Sequence, residues 1–231
     1  MIDATGLPEC VERAPRGAAS ASILWLHGLG ADGHDFEPLV DELALPEDTG
    51  VRFVFPHAPY RPVSLNAGAR MRAWYDLLPP GPGWREDEAG IAAAADTVRE
   101  LIEREARRGV PPRQLVLGGF SQGGAVALYA GLRHPERLAG IVALSTYLPL
   151  AGHLPEEAAA ANRDVPILLA HGSADPLIGR DIAERSRDRL RSLGYPVQWR
   201  LYDMAHSICP EEIHDLRAWL IRVALAAPGA A

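Results

Sequence analysis

A doubly wound α/β architecture, a mostly parallel sheet with helices on both faces, is predicted by three features of this 231-residue chain. Short β-rich runs alternate with helical patterns over most of its length. The runs are nearly continuous in their hydrophobicity, as strands covered on both faces require. The 48% hydrophobic content shows no shift along the chain and suffices for one large core, so a single domain over 1–231 is expected. Sheets of this kind bind ligands outside the carboxyl ends of their strands.

Taken in order, SILWLH (22–27) is the first strand, followed by the glycine-rich HGLGADG and a helix opened by His34, and VRFVF (51–55) is the next strand. Residues 57–87, HAPYRPVSLNAGARMRAWYDLLPPGPGWRED, carry no period. A connection this long inside a compact domain is usually functional or disordered. Tyr60, Trp74, Tyr75 and Trp84 argue against disorder, because aromatic rings favour burial, and point to a lid or pocket wall. From Glu88, Ile91, Ala94, Ala95, Val98, Leu101 and Ile102 recur at helical spacing until Gly109 and Pro111 supply the stop. QLVLGGF (114–120) is a strand and 122–133 a helix; LAGIVAL (138–144), VPILLAH (165–171) and VQWRLY (197–202) are further strands, with AAAAN (158–162) a loop or short helix. PEEIHDLRAWLIRVAL closes the pattern as a helix with Pro210 at its first position and acidic residues in its first turn.

Composition narrows the function. A net charge of −7 with acidic residues spread along the chain argues against nucleic acid or an anionic membrane as partner. No apolar stretch reaches membrane-spanning length and MIDATGLPECVERAP lacks the marks of a signal peptide, so a cytoplasmic protein without stable membrane insertion is expected. Cys10 and Cys209, far apart in sequence, imply neither a disulfide framework nor a metal site. All 23 basic residues are arginine. The absence of lysine excludes the phosphate-binding P-loop, pyridoxal Schiff bases and Ser-Lys dyads, each of which needs an amine at a defined place.

The chemistry centres on LGGFSQGGAV (117–126). Gly119-Phe120-Ser121-Gln122-Gly123 fits a nucleophile elbow, and its place between a strand and a helix is the context that pattern requires. The bland alternative is a serine that caps the helix. As nucleophile, Ser121 needs a base and the base needs an orienting acid. His206, after the last strand, lies at the right edge of the sheet; His134, His214 and His34 read as surface or capping residues, and His27 and His171 as strand ends packed close to backbone. Among the acids, Asp164 precedes its strand and Asp203 stands only three residues from His206, whereas Asp175 in HGSADPLIG follows a strand and gives the order Ser, Asp, His. The backbone N–H groups of Gln122 and Leu29 are the expected oxyanion donors. GLGADG also matches a dinucleotide fingerprint, but no acidic ribose partner ends VRFVF.

Together LHGLGADGHDF, RAWYD, GFSQGGAVAL, LSTYLPL, HGSADPLI and MAHSICPEEIHDLRAWL, in this order between about residues 20 and 222, closely resemble the bacterial carboxylesterase and acyl-protein thioesterase family of small α/β-hydrolases. The resemblance implies an α/β-hydrolase fold, the triad Ser121, Asp175 and His206, oxyanion donors Leu29 and Gln122, and an acyl pocket lined from the segments of Trp74, Tyr147 and Leu177. It implies a serine carboxylesterase acting on a small-molecule ester, with no metal or cofactor and with a homodimer allowed; thioester and lysophospholipid hydrolysis use the same triad. Cys209 departs from the pattern where an aliphatic residue is expected, and reads as a small buried hydrophobe whose thiol could modulate the site. The rival from another class is a hydrolase-fold binding protein that has lost its chemistry.

Overall fold

The computed structural model describes residues 6–46, 49–79 and 85–224. Its elements in chain order are β1 (Cys10–Arg13), β2 (Ala21–Leu26), α1 (Leu39–Leu43), β3 (Val51–Pro56), β4 (Tyr60–Val63), β5 (Ala69–Arg72), α2 (Glu88–Arg107), β6 (Leu115–Phe120), α3 (Gln122–Arg133), β7 (Gly140–Leu144), α4 (Leu154–Glu157), β8 (Ile167–Gly172), α5 (Arg180–Ser192), β9 (Val197–Tyr202) and α6 (Pro210–Ala224). A seven-stranded sheet runs in the order β1-β3-β2-β6-β7-β8-β9. Every pairing in it is parallel except that of β1 with β3.

The two faces follow from the pleat, which sends successive side chains to opposite sides. Leu24, Leu26, Leu117, Ala143 and Leu169 pack with Val98 and Leu101 of α2, Val126 of α3 and Leu190 of α5. Ile23, Trp25, Val116, Val142 and Leu168 pack with Leu39 of α1 and Leu216 and Trp219 of α6. A fully buried aliphatic side chain of this kind contributes about 2 kcal/mol. Both faces are therefore apolar, which is why the strands read as unbroken hydrophobic runs.

Several elements differ from expectation. Strand β1, CVER, was not foreseen: it is short, half-buried and confined to the sheet edge, so it carries no alternation. Helix α5, RDIAERSRDRLRS, buries only Ala183, Ser186 and Leu190, and its charged residues pair along its surface, as Arg180 does with Glu184 and Asp181 with Arg185. Its apolar stripe is too thin to see in the sequence. His34 opens no helix; its backbone N–H donates to the Asp32 carboxylate at 2.8 Å within a run of turns, and α1 begins only at Leu39.

The aperiodic segment after β3 contains the antiparallel hairpin β4–β5. Val63 anchors it and Trp74 and Tyr75 beyond it are buried, as their rings require. Tyr60 instead remains 59% exposed, with the Arg72 guanidinium 4.7 Å over its ring. Trp84 lies outside the described residues.

Candidate active site

Ser121 stands between β6 and α3 with φ +53° and ψ −121°, a conformation that costs an L-residue about 1–3 kcal/mol. It makes no side-chain cap of α3, so the capping alternative fails. The turn is tight because backbone crosses backbone: a Cβ on Gly119 would stand 2.4 Å from the Gly123 carbonyl carbon, and one on Gly123 would stand 2.2 Å from the Leu26 oxygen. Neighbours hold the bend. The Ser121 N–H donates to the Leu144 carbonyl at 2.9 Å, and the Thr146 hydroxyl donates to the Ser121 carbonyl at 2.7 Å.

His206 lies beside this turn, its ring 4.8 Å from that of Phe120, and its Nδ1 meets Asp175 Oδ2 at 2.7 Å. The other carboxylate oxygen accepts the N–H groups of Leu177 and Ile178 at 2.9 and 3.0 Å. Burial alone would raise the Asp175 carboxyl; the bonds from His206, Ile178 and Leu177 outweigh it and hold the group below the usual carboxylate range. The carboxylate is thus ionised and fixed on both oxygens. The Ser121 hydroxyl makes no hydrogen bond to a described residue, and such links often tighten only when substrate is bound. The rejected acids lie elsewhere: Asp164 pairs with Arg137, and Asp203 accepts from the Ser173 hydroxyl at 3.4 Å.

The HGLG loop packs against the elbow. A Cβ on Gly28 would stand 3.5 Å from the Ser121 Cβ, and Leu29 is half-buried between Gly28 and Gly30, whose N–H donates to the Arg72 carbonyl at 2.8 Å. Gln122, the first residue of α3, is buried.

The three expected pocket residues differ in their surroundings. Trp74 is internal, its indole N–H donating to the His27 carbonyl at 2.9 Å. Tyr147 lines a cavity of about 370 Å³ together with Leu148, Ala151 and Ile182, and neither Ser121 nor His206 reaches that cavity. Leu177 is 73% exposed. The hydroxyls of Tyr147 and Tyr75 lie 2.9 Å apart; burial pushes Tyr147 up to about 12 and Tyr75 well above its ordinary value, so both stay protonated. Cys209 is half-buried at the start of α6, where its carbonyl accepts the Ile213 N–H, and burial pushes its thiol up, away from the reactive thiolate.

Sequence reasoning missed two buried groups. His171 stands 3.5 Å from Asp175 Oδ2 while its Nε2 donates to the Ile178 carbonyl at 2.8 Å; the spacing of His171 and Asp175 in HGSAD was the available signal. Glu212 on α6 is buried with no partner for either carboxylate oxygen among the described residues, and burial raises it to about 8. It is a neutral acid at pH 7. Among the described residues no group of three or more His, Cys, Asp or Glu side chains is arranged to hold a metal ion, and no helix is long and apolar enough to cross a membrane.

Comparison with known proteins gives the lineage. Residues 9–223 match the phospholipase/carboxylesterase family model. The chain is 37% identical over 210 residues to acyl-protein thioesterase 1 of Neurospora crassa, covering 87% of this chain and 86% of that protein. It is 36% identical over 225 residues to acyl-protein thioesterase 1 of Cryptococcus neoformans, covering 90% and 94%. The crystal structure of Zea mays acyl-protein thioesterase 2 superposes with a TM-score of 0.83 at 32% identity, covering 94% of this chain and 99% of that one. The expected family is found, although the two curated relatives just named are fungal and not bacterial. The chain therefore belongs to the phospholipase/carboxylesterase family of α/β-hydrolases and is an enzyme of the esterase type.

Proposed function

We propose that the protein is a serine carboxylesterase that cleaves acyl esters through an acyl-enzyme. Ser121 Oγ attacks the acyl carbonyl, His206 Nε2 takes its proton and delivers it to the leaving oxygen, and Asp175 holds the imidazole tautomer through Nδ1. Water then repeats the sequence in reverse and frees the acid. The N–H groups of Leu29 and Gln122 receive the oxyanion, each worth about 3 kcal/mol in the transition state. The observation that carries this reading is the strained Ser121 with the His206–Asp175 pair packed on the adjacent Phe120.

A second reading is favoured by the names of the relatives: the same steps with a sulfur leaving group would make it an acyl-protein thioesterase. Paired oxygen and sulfur esters of one acyl chain, compared by kcat/KM over increasing chain length, separate the two. A fall beyond short acyl chains for both substrates excludes the long-chain thioesterase.

Ser121→Ala decides the shared core of both readings. It should fold as the parent does and lose about four decades of kcat on p-nitrophenyl esters, and it should no longer gain mass with a fluorophosphonate. Retention of most activity would remove Ser121 as nucleophile. An unmodified parent in the same labelling experiment would favour the non-catalytic binding protein.

A further inference from the structure

A chain of buried hydrogen bonds runs between the two proposed oxyanion donors without touching the triad. The ring of His27, at the end of β2, accepts the Ala58 N–H on Nε2 at 3.0 Å, so its proton resides on Nδ1, which donates to the Gly28 carbonyl at 2.7 Å. Burial drives this imidazole down to about 4, so the neutral tautomer persists at neutral pH. The Gly28 carbonyl and the Leu29 N–H belong to one planar peptide and point in opposite directions; fixing the first fixes the second.

From His27 the chain continues to the elbow. Its carbonyl accepts the Trp74 indole N–H at 2.9 Å, the Trp74 backbone N–H donates to Gln122 Oε1 at 2.8 Å, and Gln122 Nε2 donates to the Tyr75 carbonyl at 2.8 Å. On the other side of Leu29, the Gly30 N–H donates to the Arg72 carbonyl and the Arg72 guanidinium donates to the Ala58 carbonyl, each at 2.8 Å. That returns to the residue which holds the His27 ring.

We propose that this circuit sets the separation and aim of the Leu29 and Gln122 N–H groups, making His27, Trp74 and the Gln122 side chain positioning residues of the reaction. The inference rests on the oxyanion assignment above. It gives Trp74 a different task from the acyl-pocket wall that the family resemblance implied, and it explains why a glutamine follows the nucleophile: its backbone serves the oxyanion while its side chain ties that backbone to the HGLG loop. Buried networks of this kind, in which every group named here except the Arg72 Nε has a partner, are rigid, and each lost bond leaves a buried partner unpaired.

Two variants test it. Trp74→Phe removes the indole N–H and keeps an aromatic ring; Gln122→Met keeps the volume and the backbone N–H but removes both side-chain bonds. In each, kcat on a p-nitrophenyl ester should fall about ten- to a hundredfold with KM changed by less than about twofold. The inhibition constant of an alkyl trifluoromethyl ketone, whose tetrahedral adduct places an oxyanion between the donors, should rise in step with the loss of kcat. The proposal is overturned if kcat and that constant stay within about twofold of the parent in either folded variant, or if the loss is confined to KM. Failure of both variants to fold also overturns it, since the circuit would then serve the fold alone. Ser121→Ala separates the two levels: loss of activity there with none in Trp74→Phe sinks the circuit and spares the nucleophile, whereas retained activity in Ser121→Ala sinks the reading beneath it.

Discussion

Two buried carboxylates, Glu105 on α2 and Asp175 after β8, are held ionised by different company. Glu105 accepts from Ser22 at 2.7 Å, from Arg52 and Arg108 at 2.8 Å and from Arg104 at 3.3 Å. Asp175 accepts from His206 and two backbone N–H groups. Burial alone would raise both; in each case the hydrogen bonds win and the group lies below its ordinary value. The difference lies in what the partners can do. An arginine does not give up its proton, so the Glu105 cluster is a fixed bolt between α2 and the sheet. An imidazole can accept a proton and return it within one reaction cycle, so the Asp175 pair can change charge while its geometry stays put.

Glu212 completes the contrast, since its carboxylate has no hydrogen-bond partner among the described residues. The two glutamates pull stability in opposite directions. The contribution of Glu105, whose folded pKa is depressed, is present above the usual carboxylate range and is lost as pH falls through that lowered value. Glu212 is raised from 4.5 to about 8, so the fold is favoured below 4.5 and is penalised progressively as pH climbs toward 8.

The largest break in this comparison comes from Asp175→Asn, which should lower kcat about 10⁴-fold by presenting the wrong imidazole tautomer while the fold survives. Asp203→Asn is its control, and a greater loss there would reverse the choice of acid. Glu105→Gln should leave kcat unchanged and cost about 1–3 kcal/mol in urea unfolding, because the half-buried Arg52 loses its counter-charge while Arg104 and Arg108 keep that of Glu12. A fall in kcat with unchanged stability would show that the bolt is part of the site. Glu212→Gln acts in the other direction, stabilising by about 2–3 kcal/mol at pH 7 and by little near pH 4. Equal urea midpoints for parent and variant across that range would mean that Glu212 has a partner after all.

Much of this was legible because parallel strands and elbows leave strong marks. The six strands read from the sequence coincide with β2, β3 and β6 to β9 within two residues at each end, since burial on both faces makes β2, β3 and β6 to β8 largely apolar; β9, at the sheet edge, is only half-buried. The hairpin β4–β5 was hidden by Pro62, Arg61 and Arg70, residues that suit an exposed two-stranded ribbon and mask its period. Ser121 was visible because glycines bracket it for a steric reason. The roles of Trp74 and of the Gln122 side chain were not, because a hydrogen bond from a side chain to distant backbone leaves no pattern in the order of residues. Glu212 could not be read either: in the sequence it is one of two acids that suit a helix start, and only the packing of α6 shows that it is buried.

The crossing of backbone on backbone at Gly119 and Gly123 also governs how this site can change over generations. A Cβ that meets a side chain can be accommodated by a second substitution nearby; a Cβ that meets main chain, as one on Gly119 or Gly123 would, needs the backbone itself to move. Substitutions at Gly119 and Gly123 are therefore the ones the turn under Ser121 tolerates least. Gradual drift is left to positions such as Tyr60, Leu65 and Leu177, whose side chains stand in solvent and whose replacement costs the fold little.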